Sequence, residues 1–294
     1  MDRSDPRPSK ILLCFDTDPQ PSVFDAVVAI DAGADQLLRQ GGIAPDAVRA
    51  LVYGAMFTRG PAELKSTAIF IGGSDVAAGD ALLAKTRECF FGPMRVSVML
   101  DSNGANTTAA AAVLSARKHL PLAGQMVTVL AATGSVGRRV VRLMAGEGAV
   151  VRAASRKLER ARQVCDDVRR VLPHAQLVAC EAHDEASVHS ALTDAAVVIA
   201  AGAPGVVLVS EHVRSRCHTL KVAIDLNAVP PTGIAGIEPG DKAVERGGQV
   251  CYGAIGVGSL KMKLHKAAIR RLFEANDLVL DAEEIYELGQ HLID

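Results

Sequence analysis

Residues 126–137 read MVTVLAATGSVG: an apolar run, then a turn of small residues, then the start of a helical pattern, SVGRRVVRLMAGEG, over 135–148. In that pattern Val136, Val140 and Met144 recur at four-residue steps, so one face is buried, and Gly146 and Gly148 stop the helix. A strand AVVRAAS (149–155), a helix LERARQVCDDVRRVL (158–172) and strands QLVACEA (176–182), AVVIAAG (196–202) and KVAIDLN (221–227) follow. Strands alternating with helices after a glycine-bearing turn are the pattern of a doubly wound, dinucleotide-binding α/β domain.

The turn itself carries chemistry. Backbone amides at a helix start must approach a pyrophosphate closely, so side chains there have to be small. Thr133, Gly134, Ser135, Val136 and Gly137 are the predicted contacts; Gly134 and Gly137 fill the second and third positions of GxGxxG, and Ala132 replaces the first glycine. An ordinary strand-to-helix turn has similar composition, and the strand before it and the strand after its helix favour the dinucleotide. Eighteen residues past the turn, where an NAD enzyme usually places a carboxylate on the ribose hydroxyls, the chain carries Ser155, Arg156 and Lys157. A guanidinium grips a phosphate through two hydrogen bonds, an ammonium adds a point charge, and a hydroxyl donates a further bond. The trio therefore predicts NADP in preference to NAD, with room for NAD as a second acceptor. A solvated helix start is the competing reading, since Arg160, Arg162, Arg169 and Arg170 follow closely. Ala201 and Gly202, ending one later strand, and Asn227, ending another and able to bond a carboxamide, complete the predicted cofactor contacts.

Working outward, KILLCFD (10–16), AVVAID (26–31), STAIFIGG (66–73) and MRVSVMLDS (94–102) read as strands, and 75–90 and 106–120 as helices. The predicted organisation is α/β in two domains: a smaller α/β substrate domain (1–120), a Rossmann-type NADP domain (121–259), and C-terminal helices (260–294) packing back on the first. The last helix opens with an Asp281 and Glu284 capping pair.

Composition narrows the partners. Charges nearly cancel, at a net of -1, and aromatic residues are 3% of the chain, which argues against a nucleic-acid surface and for a small-molecule substrate. The six cysteines show no metal-ligand spacing, so no metal is expected, and reduced thiols fit a cytoplasmic protein. The start, MDRSDPRPSK, reads as a frayed tail without a signal peptide, and the longest apolar stretch (197–209) is broken by Gly202, Pro204 and Gly205, so no membrane segment is expected.

Substrate candidates lie on the polar loops 15–25 and 101–108: Asp16, Asp18 and Ser22 on the first, Asp101, Asn103, Asn106 and Thr107 on the second. Turn formation and helix capping would select several of the same residues. Lys261 and Lys263 stand at the predicted start of the 260–274 helix, where the helix dipole disfavours cations, which suggests a task for them. His265 shares a face with Lys261 one turn on and reads as an orienting or packing residue.

The strings FDTD (15–18), PSVFD (21–25), FFGPMRVSVMLDSNGANTTAAA (90–111), SRKLERA (155–161), PPTGIAGI (230–237) and GAIGVGSLKMKLHKA (253–267) resemble the NADP-dependent methylene-tetrahydromethanopterin dehydrogenases of bacterial one-carbon metabolism. The likeness runs along nearly the whole chain. It implies a homo-oligomer of two-domain subunits with the pterin in the interdomain cleft and NADP on the second domain. The implied reaction is hydride transfer from the methylene carbon to nicotinamide, leaving a methenyl cation; no proton leaves in that step, so positioning rather than a general base does the work. In this reading Lys261 orients the pterin as a catalytic residue, helped by Asp101 and Asn103, while Asp16, Asp18, Ser22, Asn106, Thr107, Lys263 and His265 line the substrate site. Alternatives are a methylene-tetrahydrofolate dehydrogenase, a shikimate-type hydroxy-acid dehydrogenase, which would need a first-domain lysine such as Lys65 or Lys85, and a non-catalytic NADPH sensor, which would need no polar pocket.

Overall fold

The computed structural model describes residues 8–293, so the expected N-terminal tail lies, up to Arg7, outside the described residues. The chain divides into two compact units, Met1–Thr107 with Met262–Leu288, and Thr108–Lys261 with Gly289–Asp294.

The first unit is built from β1 (Ile11–Asp16), α1 (Val23–Asp31), β2 (Gln36–Gln40), α2 (Val48–Met56), β3 (Thr67–Gly72), α3 (Val76–Glu88), β4 (Ser97–Leu100) and the start of α4 (Ala105–Arg117). Its sheet is wholly parallel in the order β12-β4-β3-β1-β2, where β12 (Val279–Leu280) comes from the C-terminal segment. Every residue of β3 is buried, as expected of a strand covered on both faces, and Phe15, Met56, Leu64, Ile69 and Leu82 fill the core on one side.

The second unit contains β5 (Met126–Leu130), α5 (Ser135–Gly146), β6 (Val150–Ser155), α6 (Leu158–Val171), β7 (Leu177–Glu181), α7 (Glu185–Leu192), β8 (Val197–Ala200), α8 (Glu211–Ser215), β9 (Val222–Asp225), β10 (Lys242–Arg246) and β11 (Gln249–Tyr252). The sheet runs β10-β11-β9-β8-β5-β6-β7, parallel except for the edge hairpin of β10. Read from β7, the parallel strands follow the doubly wound order that the sequence predicts, with direction reversing between β5 and β8.

α9 (Ala254–Arg271) begins in the second unit and ends in the first; α10 (Ala282–Ile293) follows β12. The Val98 N–H donates to the Leu278 carbonyl (2.8 Å), and the pairing with β4 adds β12 to the first sheet. Glu284 accepts the Asp281 N–H (2.9 Å), the half of the predicted cap that closes α10 backwards.

Two local expectations are corrected. AVVAID is not a strand but most of α1, capped by Ser22, whose hydroxyl oxygen accepts the Asp25 N–H (3.2 Å). This helix is apolar all round: Val28 and Ala29 face the sheet while Val23, Val27 and Ile30 remain exposed, so it lacks the polar face that would mark its period. α9 also starts six residues before the predicted position. A Cβ on Gly253 or Gly256 would stand 2.0 Å from the Glu238 carbonyl oxygen or 1.8 Å from that of Asp241, so these glycines let the helix start pack against a neighbouring loop rather than forming a loop themselves.

Candidate functional site

In the second unit the chain leaves β5 through Ala131, whose φ of 54° lies in the left-handed region, and its carbonyl accepts the Gly134 N–H (3.1 Å). α5 follows immediately. A Cβ on Gly137 would fall 2.5 Å from the Ala131 oxygen and 2.9 Å from the Ala132 Cα, so only glycine allows the helix so close to the turn. Ala132, in the place of the first glycine, is fully buried and donates its N–H to Ala154 (3.0 Å), which explains why a small methyl is tolerated. No side chain caps α5, leaving its first amides available to an anion.

Beside this turn, at the β5/β8 reversal, lies a cavity of about 240 Å³. Of the predicted cofactor contacts, Thr133, Gly134, Ser155, Arg156, Ala201 and Gly202 line it. Leu130 ending β5 and Ala131 after it, Ala203, Val206 and Leu208 after β8, and Ala182 and Val188 complete the wall, and none of these was among the predicted contacts. For the residues after β8 the signal lay in the glycine-rich string that holds them, whose apolar members look like core; Ala182, beyond β7, and Val188, in α7, carry no local signal.

Ser155 is buried, and its backbone carbonyl accepts the Ala182 N–H (2.8 Å), fixing the strand end. Arg156 and Lys157 are exposed, and among the described residues neither side chain has a hydrogen bond or ion pair, so both charges are free to meet an anion. The cradle thus fits a dinucleotide with an additional phosphate on the β6 side: glycine clearance at the pyrophosphate position, uncapped helix amides, and two unengaged cations.

Lys157, Ser135, Val136 and Gly137 do not line the cavity, although they stand directly behind or beside it in sequence. Asn227 is buried with both ends of its amide occupied: Nδ2 donates to the Pro231 carbonyl (3.1 Å) and Oδ1 accepts the Val229 N–H (2.9 Å). Asp225 beneath it accepts the N–H groups of Asn227 and Ile234 (2.9 Å each); burial pushes its carboxyl above the ordinary range, opposed by those N–H groups. Both residues shape the loop after β9.

In the first unit the sheet reverses direction between β1 and β3, so the corresponding crevice is edged by the loops after those strands. Asp16 is buried and accepts the N–H groups of Asp18 (2.8 Å) and Ser22 (3.0 Å). Asp18 in turn accepts the Ser74 N–H (2.9 Å) and hydroxyl (2.8 Å), tying the two loops together. Asp101 is fully enclosed; its oxygens accept the Thr107 N–H (3.0 Å) and hydroxyl (2.7 Å), and His265 Nδ1 lies 3.7 Å away. Asn106, also buried, donates to the Leu100 carbonyl (2.6 Å) and to Asp281 Oδ1 (2.8 Å).

His265 has no exposed surface and stacks on Phe70 with ring centroids 5.5 Å apart. Asn103 differs from these: its φ is 53°, its N–H is held by the Gly73 carbonyl (2.7 Å), and its side chain is exposed. Phe24, absent from the expectations, stands exposed in the first turn of α1, its ring centroid 6.4 Å from that of His265.

Lys261 is half-buried and Lys263 exposed, both two turns or more inside α9. Neither cation therefore feels the positive end of the helix dipole, because a charge that deep in a helix no longer meets the unpaired N-terminal amides. What remains is placement: Lys261 precedes buried His265 by one turn on the same helix face.

Among the described residues no group of three or more His, Cys, Asp or Glu is placed to hold a metal ion, and no helix is long and apolar enough to cross a membrane. The six cysteines are free, and burial pushes the Cys14 thiol up to about 12.

A parallel sheet in one unit and, in the other, a sheet parallel but for its edge hairpin, in doubly wound order with a phosphate-fitted cradle at its reversal, define a two-unit α/β protein with a Rossmann-type dinucleotide fold. Among solved structures it resembles the shikimate 5-dehydrogenase of Listeria monocytogenes in complex with shikimate and NAD (TM-score 0.53, 12% identity, 95% of this chain and 96% of that one). It also resembles the quinate dehydrogenase of Corynebacterium glutamicum in complex with NAD (TM-score 0.51, 13% identity, 96% and 99%). At such identities the likeness concerns the fold alone.

Sequence comparison is more specific. Residues 23–103 match the methylene-tetrahydromethanopterin dehydrogenase N-terminal family, and residues 123–219 the NmrA-like family. Two proteins of Methylorubrum extorquens are similar over most of their length. The bifunctional protein MdtA is 46% identical over 285 residues, 96% of this chain and 99% of that protein. The NAD(P)-dependent methylenetetrahydromethanopterin dehydrogenase is 31% identical over 289 residues, 91% and 93%. The chain belongs to the methylene-tetrahydromethanopterin dehydrogenase family.

Proposed function

We propose that this protein oxidises methylene-tetrahydromethanopterin to the methenyl form with transfer of a hydride to NADP, and that the second unit holds the dinucleotide while the first unit holds the pterin. The observation that carries the reading is the cavity at the β5/β8 reversal, edged by buried Ser155 and unengaged Arg156 in a chain 46% identical to a family member over almost its full length. The dinucleotide supplies the hydride acceptor. Thr133, Gly134, Ser135, Val136 and Gly137 take the pyrophosphate on the first amides of α5; Ser155, Arg156 and Lys157 take the extra phosphate; Ala201 and Gly202 leave room beyond them. Asn227 acts by holding the loop after β9.

Asn103 of the first unit and Lys261, the last residue of the second unit's main segment before α9 passes into the first, are the groups assigned to the pterin, with Lys263 nearby in sequence. Asp16, Asp18, Ser22, Asn106, Thr107 and His265 act as positioning residues: their bonds to one another and to the backbone fix the crevice loops. Asp101 belongs with them, because an enclosed carboxylate with both oxygens engaged holds α4 and His265 rather than touching substrate. Since the product cation is delocalised over two ring nitrogens, such fixed geometry suffices without a proton acceptor.

The six free cysteines fit a reducing cytoplasmic setting, and the exposed apolar residues Val23, Val27 and Ile30 of α1 fit a homo-oligomer. The test is spectroscopic. Purified protein mixed with methylene-tetrahydromethanopterin and NADP should show methenyl and NADPH absorbance rising together in equal amounts; turnover of methylene-tetrahydrofolate alone, or of shikimate, would replace the reading.

A further inference from the structure

We propose that the Phe24 ring is the stacking platform for the flat bicyclic ring of the pterin. This rests on the function proposed above and names a substrate-contacting residue for it.

Phe24, Phe57 and Phe91 are the exposed phenylalanines among the described residues, at 51%, 59% and 50%. Phe57 and Phe91 close on each other, with ring centroids 6.1 Å apart, and stand just past the ends of α2 and α3. In a parallel sheet those helix ends lie at the amino ends of the strands, the side opposite to ligand binding. Phe24 is different. It lies in the first turn of α1, reached from the carboxyl end of β1, at the β1/β3 reversal where such a sheet binds its ligand.

The start of α1, which carries the ring, is fixed from beneath. Asp16 holds the Ser22 N–H (3.0 Å), Ser22 Oγ caps the Asp25 N–H (3.2 Å), and buried His265 stands 6.4 Å from the Phe24 ring centroid. A half-exposed ring on a helix start that is already fixed leaves less backbone ordering for the binding of a planar ligand to accomplish. Hydrogen-bonding groups stand near the same sheet edge: Asn103, tied through its N–H to Gly73, presents a free carboxamide suited to the donor and acceptor edge of a pterin. Exposed Val27 stands one turn after Phe24 on the same helix, so the ring borders the apolar face of Val23, Val27 and Ile30, and elution volume distinguishes a contact between copies from a ligand platform.

The experiment measures binding of tetrahydromethanopterin alone, by calorimetry without NADP, to wild type, Phe24→Leu and Phe24→Tyr. Replacing the ring by an aliphatic group of comparable size should weaken binding about tenfold, as expected for loss of one stacked ring, and raise KM with a smaller change in kcat. Phe24→Tyr should bind within about threefold of wild type, because the π-face is kept. NADP affinity and elution volume should be unchanged in both. Equal binding by Phe24→Leu and wild type would overturn the proposal, as would absence of pterin binding by wild type, or a changed elution volume showing that Phe24 serves a contact between copies. Wild type that binds the pterin through Phe24 but fails to oxidise the methylene form would support this assignment and reject the proposed reaction.

Discussion

His265 Nδ1 lies 3.7 Å from Asp101 Oδ2, and neither residue reaches solvent. The same carboxylate receives both the hydroxyl and the backbone N–H of Thr107, so one acid joins the end of β4, the start of α4 and the middle of α9. Asp101→Ala leaves the buried Thr107 N–H without its acceptor and the hydroxyl with only a long bond to the Gly104 carbonyl (3.4 Å), and should cost about 1–3 kcal/mol of stability. Urea unfolding of the variant checks this; a loss below the error of the measurement would mean that the contacts are not holding the loop.

The carboxylate of Asp241 receives Arg246 through bonds of 2.6 and 2.7 Å, and the guanidinium holds its carboxyl below the ordinary value of 3.8. A depressed carboxyl stabilises the fold above its unfolded value, and that contribution is lost as the pH falls through 3.8 toward the folded one. Acid unfolding followed by circular dichroism should therefore show a shallower dependence for Asp241→Asn than for wild type below about pH 5.

Gly137 stands where a methyl would press on backbone at 2.5 Å. Gly137→Ala must push α5 away from the turn, and should lose about 1–3 kcal/mol of stability together with most dinucleotide affinity. Thermal unfolding with and without NADP reads both effects; an Ala variant that NADP still stabilises as strongly as wild type would show that the turn does not carry the pyrophosphate.

Lys261→Ala should depress turnover while leaving the NADP dissociation constant within about twofold, since the residue is assigned to the pterin and lies outside the cavity-lining set. Steady-state kinetics with parallel fluorescence titration of NADPH separate the two. Unchanged kcat and KM would leave Lys261 with no part in holding the pterin.

How much of this was legible in the sequence depended on the range of the interactions. The run from β5 to β6 was readable because strand, turn and amphipathic helix each carry their own local period, and Ser155 and Arg156 follow directly from it. β2 and β12 were not, because QLLRQ has four exposed positions and β12 has only two residues; both exist through pairing with distant strands. α1 was misread since its apolar face to solvent erased the helical contrast, and α9 since its packing glycines imitate a loop. In the first unit, the polar loop residues were found, but their engagement was hidden: that Asp101 points to Thr107 and His265 rather than outward is a tertiary fact.

The central claim is that Arg156 grips the 2′-phosphate of NADP. Calorimetric titration of Arg156→Ala with NADP and with NAD tests it most directly. A loss of about 10- to 100-fold is expected for NADP, the worth of a charged hydrogen-bonded contact, and little change for NAD; equal losses for the two cofactors, or none for either, would contradict that role of Arg156.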